Sequence, residues 1–178
     1  MLTIAQFSAG IAAAGLVSAL LPGNVNARTT LAPDVTLVGG FFLEFFLSCL
    51  LIFTVLMLAV EKHKATFLAP IGIGLALFIT QMLGQSYTGA SVNPARTLGP
   101  DVVTATFTNS CWIYYIAPYC AAIFTSGFYW CLKWARFETT NPDQDADEHR
   151  AGAIRQVFLD GSGNIVGTLE TMDAKCVY

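Results

Sequence analysis

The sequence predicts an all-α integral membrane protein, on three observations. Only 12% of its 178 residues are charged while 54% are hydrophobic, and the mean hydropathy is +0.58; a soluble domain carries roughly twice that charged fraction. The charges also avoid four stretches, residues 1–21, 39–60, 66–87 and 111–133, in which Glu44 is the single charge before the closing Lys133. Each is close to the ~20 residues that cross a ~30 Å hydrocarbon layer at ~1.5 Å per residue. Finally, a polar, glycine-containing run, "YTGASVNPARTLGP", interrupts the apolar sequence between the third and fourth stretches.

The first span contains Ala5, Ala9, Ala12, Ala13 and Gly15, small residues that let helices approach closely. It ends at Pro22-Gly23, which breaks a helix. A secretory signal is the alternative for this segment, but it lacks a basic leader and runs on as a full-length apolar helix. The polar stretch 22–38 should be irregular, and neither Asn24 nor Asn26 heads a glycosylation sequon. The second span is rich in Phe and Leu, as a lipid-facing helix should be, with Glu44 as the exception. The third carries Pro70 in its first turn, where a missing donor does least harm, followed by Gly72, Gly74 and Ala76. The fourth has Trp112, Tyr114 and Tyr115 at one end and Tyr129 and Trp130 at the other, suiting the two membrane interfaces.

Seven of the nine Lys and Arg residues lie in the loop "EKHK" or after Leu132. The positive-inside rule therefore puts that loop and the C-terminus in the cytoplasm and Asn93 to Ser110 on the outer side. Residues 1–137 read as the membrane domain. Residues 138–178, opening with the acidic "NPDQDADEH", read as a cytoplasmic tail, mostly disordered. Within it "RQVFLDGSGNIVGTLE" could form an isolated hairpin, marginal by itself. Asp160, Ser162 and Asn164 mimic a calcium loop, but Ile165 stands where the sharp-turn glycine is required. The five cysteines read as small buried hydrophobes rather than a disulfide framework, and no metal-ligand spacing occurs. No cofactor is expected. No catalytic set is expected either, since His63 and His149 lie outside the spans and Glu44 has no acidic partner in its segment.

The chemistry concentrates in residues 87–110. "TGAS" is too polar and glycine-rich to continue a helix, whereas "NPARTLGPDVV" begins one, with Asn93 as N-cap and Pro94 at the first helical position. The new helix, about residues 93–104, is too short to span. It fits a re-entrant half-helix, which membranes tolerate only where it is buried in protein or lines a watery path. Its N-terminus would bring amide donors and a partial positive charge to that path, and Arg96 a permanent one that repels cations. The alternative is a capped helix start in a surface loop, with Arg96 at the headgroups.

Together with "FLAPIGIGLALF" and "FLEFFLSCLLIFTVLMLAVEKHKATFLAP" ahead of it, the run "YTGASVNPARTLGP" resembles the second half of an aquaporin, a fungal-type member of the major intrinsic proteins, over about residues 5–137. The resemblance implies an incomplete aquaporin-like bundle of four transmembrane helices plus the half-helix. It implies a tetramer in membrane lipid, water as the transported species and no nucleic-acid partner. Asn93, Pro94 and Ala95 would be the second Asn-Pro-Ala motif and Arg96 the arginine of the selectivity constriction. Gly89, Ala90 and Ser91 would present carbonyls along the pore, with Ala90 also at the constriction wall. Glu44 would anchor the loop. Gln81 stands where water-selective members usually carry histidine. Thr97, where glycerol-conducting members carry Asp, favours water, as does the aromatic pair Tyr114 and Tyr115; Asp101 stands where small residues are common.

One Asn-Pro-Ala occurs in this sequence, and it starts near the third helix of the family's six, so the chain is expected to supply half of a pore wall. The expected function is passive permeation of water, with small neutral solutes as an extension. Two alternatives accompany it: a truncated, non-conducting membrane fragment that at most assembles with full-length channels, and a facilitator of glycerol-sized solutes. Plasma and internal membranes both remain open as locations.

Overall fold

The computed structural model describes residues 1–23, 26–61, 65–137, 156–159 and 165–169. Among them the chain forms five α-helices: α1 (Leu2–Leu20), α2 (Leu37–Val55), α3 (Ala69–Gly84), α4 (Pro94–Val103) and α5 (Ile113–Trp134). A π-helical turn, Leu56–Val60, extends α2, and a 3-10 turn, Thr66–Leu68, leads into α3. Residues 156–159 and 165–169 form an antiparallel pair of strands, β1 (Gln156–Leu159) and β2 (Ile165–Leu169), with a register shift between Phe158 and Leu159. The residues of the calcium-like run ahead of Ile165, together with His63, His149 and Cys176, lie outside the described residues.

Helix ends follow local chemistry. The Thr36 hydroxyl caps α2 by accepting from the Gly39 amide at 3.1 Å. Pro70 sits in the first turn of α3. That helix stops at Gly84, before the expected residue 87, because the Tyr87 and Thr88 amides both turn back to the Gly84 carbonyl. Three helical stretches, Leu2–Leu20, Leu37–Val60 and Thr66–Gly84, are long and apolar enough to cross a membrane. α5 is longer, at 22 residues, but its Tyr and Trp side chains, Pro118 and Lys133 lower its hydropathy below theirs.

α2 packs against both α3 and α5, and α1 packs against α4. Aromatic pairs run along the α2–α5 seam: Phe41 on Trp112, Phe45 on Phe124 and Phe53 on Phe128, with ring centroids 5.6 to 6.0 Å apart. Such pairs prefer offset or tilted geometry and hold long helices in register. The α1–α4 crossing is closer. A Cβ on Gly99 would come within 2.4 Å of the Gly10 carbonyl oxygen, and one on Gly10 within 2.6 Å of the Ala95 oxygen, so the two backbones touch. At the far end of α2, Glu61 accepts from Tyr129 and pairs with Lys133 at 3.0 Å, tying that end to α5.

The outside is apolar, with Leu16, Phe46, Ile71, Phe78, Met82 and Ile123 among its exposed side chains. The bundle thus turns its hydrophobic surface outward and keeps Glu44, Thr80, Thr88, Thr97 and Asp101 inside, as a lipid solvent requires. This arrangement corrects one expectation. Cys49, Cys111 and Cys120 are only half-buried and Cys131 is exposed, because an apolar environment on the outside removes the need to hide a small apolar side chain.

Candidate functional site

The segment between α3 and α4 is short, buried over residues 88–91 and conformationally unusual. Gly89 has φ +78°, and Ala90 and Val92 lie in the left-handed region at φ 44° and 43°. Two non-glycine residues there are uncommon and persist only where surroundings over-determine them. Those surroundings are visible. Glu44 of α2, fully buried, accepts through Oε1 from the Thr88 hydroxyl at 2.6 Å and the Ser91 amide at 3.0 Å, and through Oε2 from the Val92 amide at 2.9 Å. Tyr114 of α5 donates its hydroxyl to the Thr88 carbonyl at 2.7 Å. Gln81 of α3 donates to the Ala90 carbonyl at 2.9 Å. Three helices therefore grip the run 88–92 at four of its residues by donors and acceptors.

The half-helix α4 starts where the sequence signals it. The Asn93 side-chain oxygen accepts from the Ala95 amide at 2.9 Å, and Pro94 occupies the first helical position. Thr97, one turn on, is fully buried; its hydroxyl meets those of Ser91 at 2.6 Å and Thr29 at 2.8 Å. Pro100 has no amide hydrogen, so the carbonyl of Arg96, four residues before it, loses its helical donor. Asp101 is 1% exposed and pairs with Arg28 at 2.9 Å.

Two cavities of about 480 and 470 Å³ flank the start of α4. Both are lined by Asn93, Arg96 and Gln6. The first continues between α1 and α4 along Ala9, Ala13, Ala95 and Pro100. The second continues past Gln81, Ser91, Val92 and Pro94 to Leu51 and Leu77. The Arg96 Nη1 is buried without a hydrogen-bond partner among the described residues. A buried guanidinium nitrogen without a protein partner is a group that a water or ligand would satisfy.

Of the residues singled out from sequence, Asn93, Pro94, Ala95, Arg96, Gln81 and Ser91 line these cavities. Gly89, Ala90, Glu44, Thr97, Asp101, Tyr114 and Tyr115 line neither. Tyr114 is fully buried against the loop, and the buried Tyr115 hydroxyl has no partner among the described residues. Sequence reasoning missed Gln6, Thr88 and Arg28. Gln6 carried a usable signal, as the one amide side chain within the first apolar span. Thr88 and Arg28 had none, because their roles depend on partners far away in the chain. Among the described residues no cluster of metal-ligating side chains occurs.

The structure is that of a helical membrane protein in which a buried carboxylate clasps a loop of unusual backbone, and a short helix brings an asparagine and an arginine to two cavities. Residues 1–129 match the family described as "Major intrinsic protein", and the chain belongs to that family. It is 53% identical to "Aquaporin-7" of Botryotinia fuckeliana over 173 residues, covering 94% of this chain and 38% of the relative. It is 50% identical to "Aquaporin-5" of the same fungus over 82% of this chain and 27% of the relative. "Aquaporin-1" of Gibberella zeae is 45% identical over 80% of this chain and 44% of that protein. The chain thus spans less than half the length of these relatives.

Proposed function

We propose that this chain supplies one side of a passive pore for water, with small neutral solutes as an extension, in a multi-pass membrane protein. The observation that carries this reading is the pair of cavities sharing Asn93, Arg96 and Gln6 on one flank of an otherwise apolar bundle. In this reading the Asn93 amide donates to passing water, and Pro94 and Ala95 shape the turn that presents it. Arg96 binds oxygen and repels cations and hydronium. Gln81 is a wall residue with donor and acceptor but no titration. Gly89, Ala90 and Ser91 form the backbone ladder of acceptors, and Glu44 anchors it. The hydroxyl of Thr97, in place of an acid, favours water over glycerol. Tyr114 and Tyr115 act on solute choice through the shape of the loop, and Asp101 through its partner.

Membership of a family whose relatives are named aquaporins supports the reading, as does the donor-rich half-helix. Lys133 and Arg136 then face the cytoplasm with the tail 138–178, while residues 1–137 form the membrane domain and a tetramer is the expected assembly. The test is stopped-flow swelling of proteoliposomes containing the purified chain. Water permeability well above that of empty vesicles supports the reading; unchanged permeability beside an active relative rejects autonomous conduction.

A second reading is favoured by one observation: Gln6 and Asn93 are exposed although both are polar and sit among apolar neighbours. A pore must be enclosed on every side. On this reading the chain conducts only with further helices packed over that flank, and otherwise serves as a non-conducting assembly partner. Co-purification with a full-length relative, with permeability restored only by the pair, distinguishes it from the first.

A further inference from the structure

Segment 26–36, between α1 and α2, has no helical structure, yet it is pinned at three levels along the half-helix and its loop. Arg28 donates from Nε to the Asp101 carboxylate at 2.9 Å and from Nη2 to the Thr106 carbonyl at 3.0 Å. The next residue, Thr29, is 1% exposed and shares a 2.8 Å hydrogen bond with Thr97. Farther on, the Ala32 amide donates to the Tyr87 carbonyl at 2.8 Å. Thr97 in turn meets Ser91, whose hydroxyl donates to the Asn93 carbonyl at 2.9 Å. A continuous polar chain therefore runs from Thr29, next to Arg28, to the residue that heads the half-helix.

The geometry points to the Arg28–Asp101 pair as a latch that holds segment 26–36 against α4 and sets the width of the passage beside Arg96. Arg28 is thereby a positioning residue for solute size. Ala27, its neighbour, lines the same cavity as Arg96, Asn93 and Pro100, so a displacement of the segment moves one wall of that cavity directly. The pair is asymmetric in burial, with side chains 21% and 1% exposed. Losing the arginine therefore strands a carboxylate that water cannot reach, whereas losing the carboxylate leaves an arginine able to turn outward. Asp101 is buried, and an ion pair backed by a second hydrogen bond from the same arginine fixes position well.

The inference rests on the pore reading for its effect on solutes, and on geometry alone for the latch. Its test uses the full chain in lipid nanodiscs and proteoliposomes, with Arg28→Ala, Asp101→Asn, the double variant and Arg28→Lys. Hydrogen exchange should accelerate at the amides of residues 29–32 and 88–92 in Arg28→Ala by about tenfold or more, the factor that loss of a charged hydrogen bond produces. The double variant should exchange more slowly than Arg28→Ala, because it removes the stranded charge; a purely steric role for the arginine predicts no such relief. Arg28→Lys, which keeps one of the two contacts, should fall between wild type and Arg28→Ala and serves if that variant does not fold. In proteoliposomes the glycerol-to-water permeability ratio should rise at least about threefold in the single variants. Unchanged exchange in the single variants overturns the latch. Faster exchange with an unaltered ratio in a conducting chain overturns its role in solute size. If the wild-type chain moves no water, the pore reading fails, and exchange confined to these two segments still supports the latch while its absence overturns it.

Discussion

Glu44 shows how one acidic side chain can organise a backbone inside an apolar bundle. Its two oxygens serve three donors from the loop. A buried amide left without an acceptor costs about 1–3 kcal/mol. Glu44→Gln keeps the shape but offers one acceptor oxygen, and turns a donor toward a donor. It should therefore lower stability by about 2 kcal/mol, read as a drop in Tm in detergent; an unchanged Tm would mean that Tyr114 and Gln81 suffice to hold the loop. At Arg96 the expected effect is on selection rather than folding. Its Nη1 has no protein partner among the described residues, so Arg96→Ala should leave the melting temperature nearly unchanged. In a conducting assembly it should raise permeability to larger or charged solutes, measured by vesicle swelling in glycerol and by proton-flux dyes.

At the scale of elements, the α1–α4 crossing is the most sensitive contact. At Gly99 an added methyl meets the Gly10 backbone oxygen, which cannot swing aside as a side chain could. Gly99→Ala should separate α1 from α4 and destabilise the chain by about 1–3 kcal/mol, the range for overpacking. Gly127→Ala on α5 is the control, since nothing lies within 4 Å of its added Cβ. It should be neutral or stabilising by up to about 1 kcal/mol. A loss in Gly127→Ala equal to that in Gly99→Ala would show that the α1–α4 crossing does not set the response. The helices themselves were readable because charge exclusion and length act locally: α1, α2 with its π-helical extension, α3 and α5 begin and end within about three residues of the apolar runs, and Asn93-Pro94 announced α4. The crossing was not readable. Gly10 and Gly99 belong to separate stretches, and no local pattern says that two glycines meet. Likewise Thr88 sits between Glu44 and Tyr114 only because α2 and α5 happen to flank the same loop.

For the whole molecule, the apolar exterior and the buried polar network make the chain dependent on lipid. It should stay with the membrane fraction through an alkaline carbonate wash and require detergent for extraction. Release by the wash would contradict a multi-pass topology. The polar face carrying Gln6 and Asn93 is the part of the surface that does not suit lipid. Substituting Gln6 by Leu should therefore not weaken membrane retention, but in a conducting assembly it should reduce water permeability relative to wild type, read by stopped-flow light scattering.

The clasp on the loop also has a bearing on biogenesis. Glu44 precedes its partners Thr88, Ser91 and Val92 by 44, 47 and 48 positions, so a ribosome delivers the acceptor to the bilayer before the donors leave the exit tunnel. The nascent loop finds its carboxylate already inserted, and its amides need not wait unpaired in hydrocarbon. A circularly permuted chain that synthesised the loop first would meet the translocon in the opposite order, with the donors arriving before anything could receive them.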